Sequence, residues 1–367
     1  MVAARCTKQR GRGNKDEIPT VRKGWCDMES PQKGKQSVAF EKEVYIRESA
    51  SIVGTKEGEG PLGALFDMVA SDDMMGCDNW EAAESTLQKE ALSLALGKAG
   101  LTHKDIRYLL AGDLLAQTVA SSYGLMDFET PILGMYGACS TCGEALGIGS
   151  MLVAGGYADM LACVTSSHFA SAEKEFRFPL SYGSQRPKCS TWTVTGSGAY
   201  VLSSSKDKGA RARITGITSG RIVDYGIKDS FNMGCCMAPA AASTIEQNLT
   251  DFGRKPSDYD KIFTGDLGTV GQQALIDLLA AKGIEISAQH DDCGICMFDS
   301  IRQKTEAGGS GCGCSASVLS AYILPRIESG EWKRVLFVPT GALLSKTSFN
   351  EGQTVPGIAH AVVIEKA

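Results

Sequence analysis

The sequence predicts an α/β fold in which a largely parallel sheet is covered by helices on both faces and is built from two related halves. Two observations carry this prediction. Strand-like and helix-like segments alternate along most of the 367 residues, an order typical of parallel strands joined by helical crossovers. Similar short sequences also recur 153 and 175 residues apart, which indicates an internal duplication.

The repeat has three parts that keep their order along the chain. The sequence IRYLLAGDL resembles YDKIFTGDL, so that Asp113 matches Asp266. The segment beginning GACST resembles the one beginning GCGCS, so that Cys139 matches Cys314, and GSGAYVLS loosely resembles GIAHAVVIE. Each half would be a βαβ-type unit, so we expect a pseudo-twofold axis and a site where the halves meet.

Each element follows from a hydrophobic period and from the residues that end it. Strands are expected at 44–53, 106–110, 131–136, 160–165, 193–203, 213–222, 259–264, 334–339 and 358–365. Helices are expected at 80–99, 140–154, 240–252, 272–281 and 315–328. The predicted divisions are a disordered basic N-terminal extension at 1–36, an N-terminal half at 37–205 and a C-terminal half at 206–367.

Charge and composition exclude several classes of protein. Residues 1–36 hold nine Lys/Arg against four Asp/Glu, a net charge of +5, whereas the whole chain carries -5. The rest of the chain is therefore acidic, which argues against nucleic acid as a partner. The extension has few apolar residues, so we expect disorder there, with contact to anionic lipid as the alternative.

The sequence also predicts neither a transmembrane helix nor a secretory signal. The longest uncharged run in the apolar middle, 145–158, is too short and too glycine-rich for a transmembrane helix. The first 28 residues have no apolar core, so we expect no secretory signal. Thirteen cysteines without such a signal indicate a reducing compartment and free thiols.

One cysteine stands at a predicted strand-to-helix turn, in the sequence Gly137-Ala138-Cys139-Ser140-Thr141. The first turn of a helix offers unpaired amides and the positive end of the dipole, which lower the pKa of a thiol and can form an oxyanion hole. The alternative is a small buried residue, because free cysteine packs well. The position at the turn favours a nucleophile or a thiol that contacts a ligand.

A series of motifs resembles the stage V sporulation protein AD family. They are EGPLGALFD at 59–67, AGDLLAQ at 111–117, GMYGACST at 134–141, TSSH at 165–168, FRFPLSYGSQ at 176–185, TVTGSGA at 193–199, NMGCCMAPAAA at 232–242, HDDCG at 290–294, AGGSGCGCSA at 307–316 and TGALLS at 340–345. The motifs occur in order over about residues 40–367 and leave the N-terminal extension out.

That resemblance implies the thiolase fold, a duplicated βαβαβαββ unit stacked as a five-layered α-β-α-β-α sandwich. It also implies a part in moving dipicolinic acid into the developing spore of Firmicutes, and binding of dipicolinic acid, alone or as its calcium chelate. The implied partners are integral membrane proteins of the same sporulation operon. The implied location is peripheral, at the cytoplasmic face or surface of the spore inner membrane, and the fold permits a homodimer.

The resemblance also bears on catalysis. Condensing enzymes of this fold pair the helix-start cysteine with two residues of the second half, His with Asn or His with Cys. Here the first position reads Asp266, and the second lies in the sequence GSGC at 309–312. A carboxylate raises the pKa of a nearby thiol and cannot stabilise a developing enolate. We therefore expect a non-catalytic binding protein. The alternatives are a condensing enzyme that acts on acyl-CoA or acyl-carrier protein through Cys139, and a scaffold for membrane partners.

Dipicolinate is a planar dianion, so its site should offer amide donors or cations together with flat walls. The helix starts at Cys139 and near Cys312 are expected to point amides into one pocket. The candidate cations are Arg177, Arg186, Lys188 and His290, although Arg186 and Lys188 fit surface charges equally well. The predicted ligand-binding residues are Cys139, Asp266, His290, Ser310, Cys312, Arg186 and Lys188, and no catalytic residue, cofactor or resident metal is expected.

Two metal alternatives remain open from the residues. Asp291 and Asp292, next to His290, could hold calcium that is carried with the ligand. The C-x-x-C sequences at 139–142 and 293–296 could bind zinc, but the first of them begins at the turn where the resemblance implies a ligand pocket.

Overall fold

The computed structural model describes residues 30–177, 185–206 and 209–367, and Pro31–Ala367 forms one unit. Most of the predicted extension at 1–36 and part of the motif at 176–185 therefore lie outside the described residues. Within the described ranges, no helix is long and apolar enough to cross a membrane.

The elements of the described chain alternate much as the sequence predicts. The strands are β1 Gln32–Lys33, β2 Ser37–Val53, β3 Met68–Val69, β4 Leu109–Gly112, β5 Ile132–Gly134, β6 Met160–Ser167, β7 Trp192–Thr193, β8 Gly196–Ser203, β9 Ala212–Thr218, β10 Lys261–Thr264, β11 His290–Asp292, β12 Gly309–Ser310, β13 Arg334–Val338, β14 Thr340–Ala342, β15 Gly357–Ala359 and β16 Ala361–Glu365. The helices are α1 Thr55–Gly58, α2 Trp80–Lys98, α3 Val119–Leu125, α4 Thr141–Ala154, α5 Phe169–Phe176, α6 Met233–Phe252, α7 Gly268–Ala280, α8 Cys293–Met297, α9 Ser300–Gln303, α10 Cys312–Val318, α11 Leu324–Ser329 and α12 Lys346–Asn350. A π-helical turn at Leu319–Ile323 joins α10 to α11.

The sheet repeats one strand order in both halves. The first half runs β2-β8-β6-β4-β5 and the second runs β9-β16-β13-β10-β11, with β2 and β9 paired antiparallel between them. In each half the last three strands are parallel and the other pairs are antiparallel. The duplicated order agrees with the repeat in the sequence. The sheet is mixed, however, so the expectation of a largely parallel sheet is wrong for β2, β8, β9 and β16.

Alternate side chains of the central strands point into different hydrophobic cores, which defines the layers. Tyr200 of β8 and Ile364 of β16 lie in a middle core, which also contains Leu146 of α4 and Val318 of α10. Val201, next to Tyr200, lies in an outer core with α2, whereas the outer core of the second half contains α6 and α7. The order is therefore helix, sheet half, the pair α4 and α10, sheet half, helix, which is the predicted five-layered thiolase-like sandwich.

Among the predicted helices, α6 differs most from its predicted bounds. The sequence predicts its start at residue 240. The helix begins at Met233 instead and keeps Pro239 in its interior. Met237 and Ala238 are fully buried in the outer core, so packing of the first turns outweighs the hydrogen bond that proline cannot make.

The ordered chain begins before residue 37, which corrects the predicted boundary of the extension. Strand β1 pairs antiparallel with the start of β2. Asp251 of α6 accepts hydrogen bonds from the N–H groups of Lys35 at 3.0 Å and Gln36 at 3.1 Å, and from the hydroxyl of Ser37 at 2.8 Å. The segment just before β2 is therefore attached to the outer helix of the second half.

Truncation at two positions tests this attachment. Deleting residues 1–36 removes β1 and two backbone donors of Asp251, so it should lower the free energy of unfolding by about 1–2 kcal/mol. Deleting residues 1–27 spares those contacts and removes a segment whose composition predicts no packing, so it should leave stability unchanged. Chemical denaturation of both truncated proteins checks this, and equal losses would contradict the boundary.

Candidate functional site

Cys139 lies in a tight turn just before α4, as the sequence predicts. The preceding residue, Ala138, has a φ of +51°, in the left-handed region. The Thr141 hydroxyl accepts a hydrogen bond from the N–H of Gly137 at 3.0 Å and donates to the carbonyl of Ala138 at 2.6 Å. The Ser140 hydroxyl donates to the carbonyl of Gly137 at 2.7 Å. These bonds fix the thiol at the start of the helix.

Asp266 follows β10 and faces this thiol, as the repeat predicts. The Asp266 carboxylate is completely buried and lies beside the Cys139 thiol. One carboxylate oxygen accepts a hydrogen bond from the Thr340 hydroxyl at 2.7 Å. The other accepts from the Ser310 hydroxyl at 3.0 Å and from the N–H of Gly311 at 2.9 Å. The predicted residues Cys139, Asp266 and Ser310 therefore meet in one cluster.

The cluster holds Cys139 as a neutral thiol. Burial raises the pKa of Cys139 well above its usual value, and the adjacent Asp266 carboxylate raises it further. Burial also raises the pKa of Asp266, against the opposing effect of the donors around it. The start of α4 favours a thiolate, but burial and the neighbouring carboxylate outweigh that effect.

A small pocket opens beside the thiol, with a free volume of about 20 Å³. Its lining is apolar except for two hydroxyls, one thiol and one guanidinium. The lining residues are Leu114, Ala138, Cys139, Phe176, Arg177, Thr193, Met233, Ser310, Ala342 and Leu344. Of the described residues that line this pocket, Arg177 carries the positive charge.

Arg177 is the first member of a buried chain of charges. Its guanidinium pairs with Glu173 at 2.6 Å, and Glu173 also pairs with Arg186 at 2.8 Å. The three side chains are at most 8% exposed. The Nε atom of Arg177 has no hydrogen-bond partner among the described residues. Two guanidinium groups thus share one carboxylate, which leaves positive charge at the wall of the pocket.

Cys312 starts α10 and packs with Cys139, Leu114 and Ala172 in a small cluster, which confirms that both helix starts approach one place. Its thiol donates to the carbonyl of Ser166 at 2.9 Å. The amides do not both point to a free ligand site, however. The N–H of the residue before α10 already donates to Asp266, as described above.

Comparison with known proteins decides the family. The family model for stage V sporulation protein AD matches residues 34–365. The chain belongs to the stage V sporulation protein AD family. The protein of that name from Bacillus subtilis (strain 168) is 45% identical over 334 residues, which make up 91% of this chain and 98% of that protein. Family membership connects this chain with sporulation.

Solved structures resemble this chain in fold. Human mitochondrial 3-ketoacyl-CoA thiolase in complex with CoA has a TM-score of 0.54 at 13% identity, over 90% of this chain and 99% of that one. Acetyl-CoA acetyltransferase from Syntrophomonas wolfei has a TM-score of 0.56 at 11% identity, over 89% and 100%. At these identities the likeness establishes the thiolase-like fold of this sporulation family member and no activity.

Five of the seven predicted ligand residues of this family member do not line the pocket. Asp266 and Cys312 are completely buried beside Cys139 and do not reach the pocket surface. The predictions for the other three are corrected by their contacts.

Arg186 pairs with Glu173 and donates to the carbonyl of Thr191 at 2.6 Å. It therefore binds the same carboxylate as Arg177 and does not line the pocket. The Lys188 side chain is 98% exposed and lies 3.8 Å from Glu306, so it is a surface charge. Both residues carry the charge expected of an anion site, but sequence alone does not say which way a side chain points.

His290 is the third correction. Its Nε2 lies 3.0 Å from the hydroxyl of Thr264, and its Nδ1 lies 3.2 Å from the side-chain amide of Gln272. Burial lowers the pKa of His290 to about 4, so the imidazole is neutral at physiological pH. It is a buried structural histidine at the sheet edge and supplies no charge to the pocket.

The calcium alternative at Asp292 is also wrong, because protein donors fill that carboxylate. One oxygen accepts from the Thr264 hydroxyl at 2.6 Å and the N–H of Leu267 at 2.9 Å, and the other from the N–H groups of Gly268 at 3.1 Å and Ile295 at 3.2 Å. Within the described ranges, no group of three His, Cys, Asp or Glu side chains could hold a metal ion.

The repeat alignment also misplaces one cysteine. Cys314 lies in the middle hydrophobic core and its thiol points to the carbonyl of Gly265 at 3.7 Å. Cys139 stands two residues before the first residue of α4, and Ser310 stands two residues before the first residue of α10. Ser310 is therefore the structural counterpart of Cys139. No sequence motif indicates a role for Glu173. Its place at the site follows only from its ion pairs with Arg177 and Arg186.

Neutralising Asp266 should make Cys139 more reactive. Asp266→Asn keeps the shape of the side chain and removes the charge that disfavours a thiolate, so the pKa of Cys139 should fall, with a rise of about tenfold in alkylation rate for each pKa unit. The rate of iodoacetamide labelling of Cys139, followed by peptide mass spectrometry in mildly alkaline buffer, measures this change.

Asp113→Asn is the matched control, because Asp113 occupies the corresponding place in the first half and binds Leu115 and Ser121 instead. It should leave the labelling rate of Cys139 unchanged. Circular dichroism verifies that both variants fold. Equal labelling of Cys139 in the wild type and in Asp266→Asn would show that the carboxylate does not control the thiol.

Proposed function

We propose that this member of the stage V sporulation protein AD family is a non-catalytic dipicolinic acid-binding component of the machinery that imports dipicolinic acid into the developing spore. The observation that best supports this proposal is the cluster around Asp266. In the fold's condensing enzymes an imidazole at this position activates the cysteine and stabilises the developing charge. Here a buried carboxylate faces a neutral thiol, so the arrangement suits ligand binding without bond formation.

The lining of the pocket has the chemical groups that a planar dianion requires. Its free volume of about 20 Å³ is too small for a pyridine ring, so the lining side chains have to move apart when the ligand enters. Arg177 offers a buried guanidinium, whose planar fork matches a carboxylate, and its Nε lacks a partner among the described residues. The hydroxyls of Ser310 and Thr193 lie in the same lining. Phe176 and Leu344 provide apolar walls for the faces of a pyridine ring. The mixture of one cation, two hydroxyls and flat apolar walls supports a small aromatic acid.

Asp266 couples the binding of an anion to protonation. Burial already raises the pKa of Asp266, and the negative charge of a ligand in the adjoining pocket would raise it further. Binding therefore takes up a proton where the solution pH lies between the pKa of Asp266 in the empty pocket and its higher pKa in the complex. The repulsion between the carboxylate and the ligand is removed by that proton, and affinity falls as pH rises.

The remaining parts of the proposal rest on family membership. The partners are integral membrane proteins of the same sporulation operon, and the place of action is the surface of the spore inner membrane, where the protein is peripheral. The ligand is dipicolinate, alone or as its calcium chelate, with the calcium arriving as part of the cargo. The competing candidate is a condensing enzyme that acts through Cys139, which the thiolase-like fold alone supports.

Isothermal titration calorimetry tests the proposal. The wild type should bind dipicolinate reversibly, and benzoate, with one carboxylate, should bind far more weakly. Arg177→Gln should weaken dipicolinate binding by about tenfold or more, because a charge-assisted hydrogen bond is lost. Arg177→Lys, which keeps the charge but not the fork, should lose less.

Lys188→Gln is the matched control, because it removes a positive charge that lies near Arg177 in the sequence. The Lys188 side chain is exposed to solvent and does not line the pocket. Its affinity for dipicolinate should equal that of the wild type. Absence of saturable heat with dipicolinate would contradict the proposed function. Equal weakening by Arg177→Gln and Lys188→Gln would show that the ligand responds to net charge rather than to this pocket.

A further inference from the structure

A second cavity lies between the two halves, on a different face of α4 from the thiol pocket. It has a free volume of about 90 Å³ and is lined by α4, the end of β9 and the start of β16. Gly143 of α4 is in close contact with the carbonyl of His360, whereas Gly147, one helical turn further on, leaves the space open. A Cβ built on Gly147 would meet only Ile217, at 3.7 Å, so the space beside it is real room rather than a tight backbone contact.

Glu144 brings an unpaired carboxylate oxygen to this cavity. Its Oε2 is buried and has no hydrogen-bond partner among the described residues, and no described cation forms an ion pair with it. Burial raises the pKa of Glu144, with no neighbouring charge contributing. Glu144 as a whole is half-buried, but its unpaired Oε2 costs free energy that a bound donor or cation would recover.

The other polar groups of the lining are already bonded or neutral. The Nδ1 of His360 accepts from the N–H of Gly220 at 3.3 Å, which places the ring proton on Nε2. Burial lowers the pKa of His360 to about 4, so it offers no positive charge to Glu144. The Thr218 hydroxyl is bonded to Ser37 and Asn248, both at 2.8 Å.

We propose that this cavity is a binding site for a small primary alkylammonium compound. The ammonium group would donate to Glu144, forming the charge-assisted bond that the protein itself does not supply. The short alkyl chain would lie against Ile148, Ile217 and Ala361, which form the apolar wall. This inference does not depend on dipicolinate binding, because the two cavities share no lining residue.

Titration with n-propylammonium chloride tests the site. Saturation should appear as chemical-shift changes of amides around Gly143 and His360, in the high-micromolar to millimolar range expected of so small a ligand. Glu144→Gln keeps the size of the side chain and removes its charge, so it should weaken binding by about tenfold or more. Propionate and 1-propanol, of similar size, should not saturate the site.

Two further experiments test whether the compound binds in this cavity and whether an inorganic cation could bind there instead. Gly147→Leu fills the space and should abolish binding while leaving Glu144 in place, whereas Gly147→Ala should weaken binding less. Potassium chloride tests whether an inorganic cation suffices. Equal binding of propylammonium by the wild type and Glu144→Gln, or equal saturation by potassium, would overturn the proposal. Thermal unfolding of each variant verifies that it folds.

Discussion

The carboxylate of Asp266 is the constraint on which the rest of the site depends. It receives donors from the segment before α10 and from β14, and it lies beside the Cys139 thiol of the α4 turn, so it joins elements of both halves at the pseudo-twofold axis. Each donor is needed, because a buried carboxylate that loses one costs about 1–3 kcal/mol. The group that sets the chemistry of Cys139 therefore also stabilises the contact between the halves.

That constraint explains how a thiolase-like fold can place a cysteine at the start of a helix and still hold it as a neutral thiol. The turn at Ala138 and the start of α4 present the thiol in the position expected of a nucleophile. Burial and Asp266 then hold it protonated, and Arg177 supplies positive charge at the wall of the pocket. Positioning and activation of the thiol are separate properties, so the fold by itself does not determine the activity.

Much of the fold could be predicted because periodicity and repetition are visible in one sequence. The duplication predicted the matched strand orders and the meeting of Asp266 with Cys139. The predicted start of α6 is wrong by seven residues, because burial of Met237 and Ala238 stabilises helical turns before Pro239. Lys188 and His290 were assigned to the site by residue type, whereas their actual places depend on side-chain direction and on partners distant in sequence. Glu173 and Glu144 were missed because a buried charge reveals its role only through its neighbours.

The proposed function requires that Cys139 does not act as an acyl acceptor. Intact-mass spectrometry after incubation with acetyl-CoA, run on the wild type and on Cys139→Ala, tests this claim most directly. We predict no acyl adduct at Cys139, and the same mass before and after incubation for both proteins. A stable acyl thioester on the wild type that Cys139→Ala lacks would contradict the account and favour a condensing enzyme.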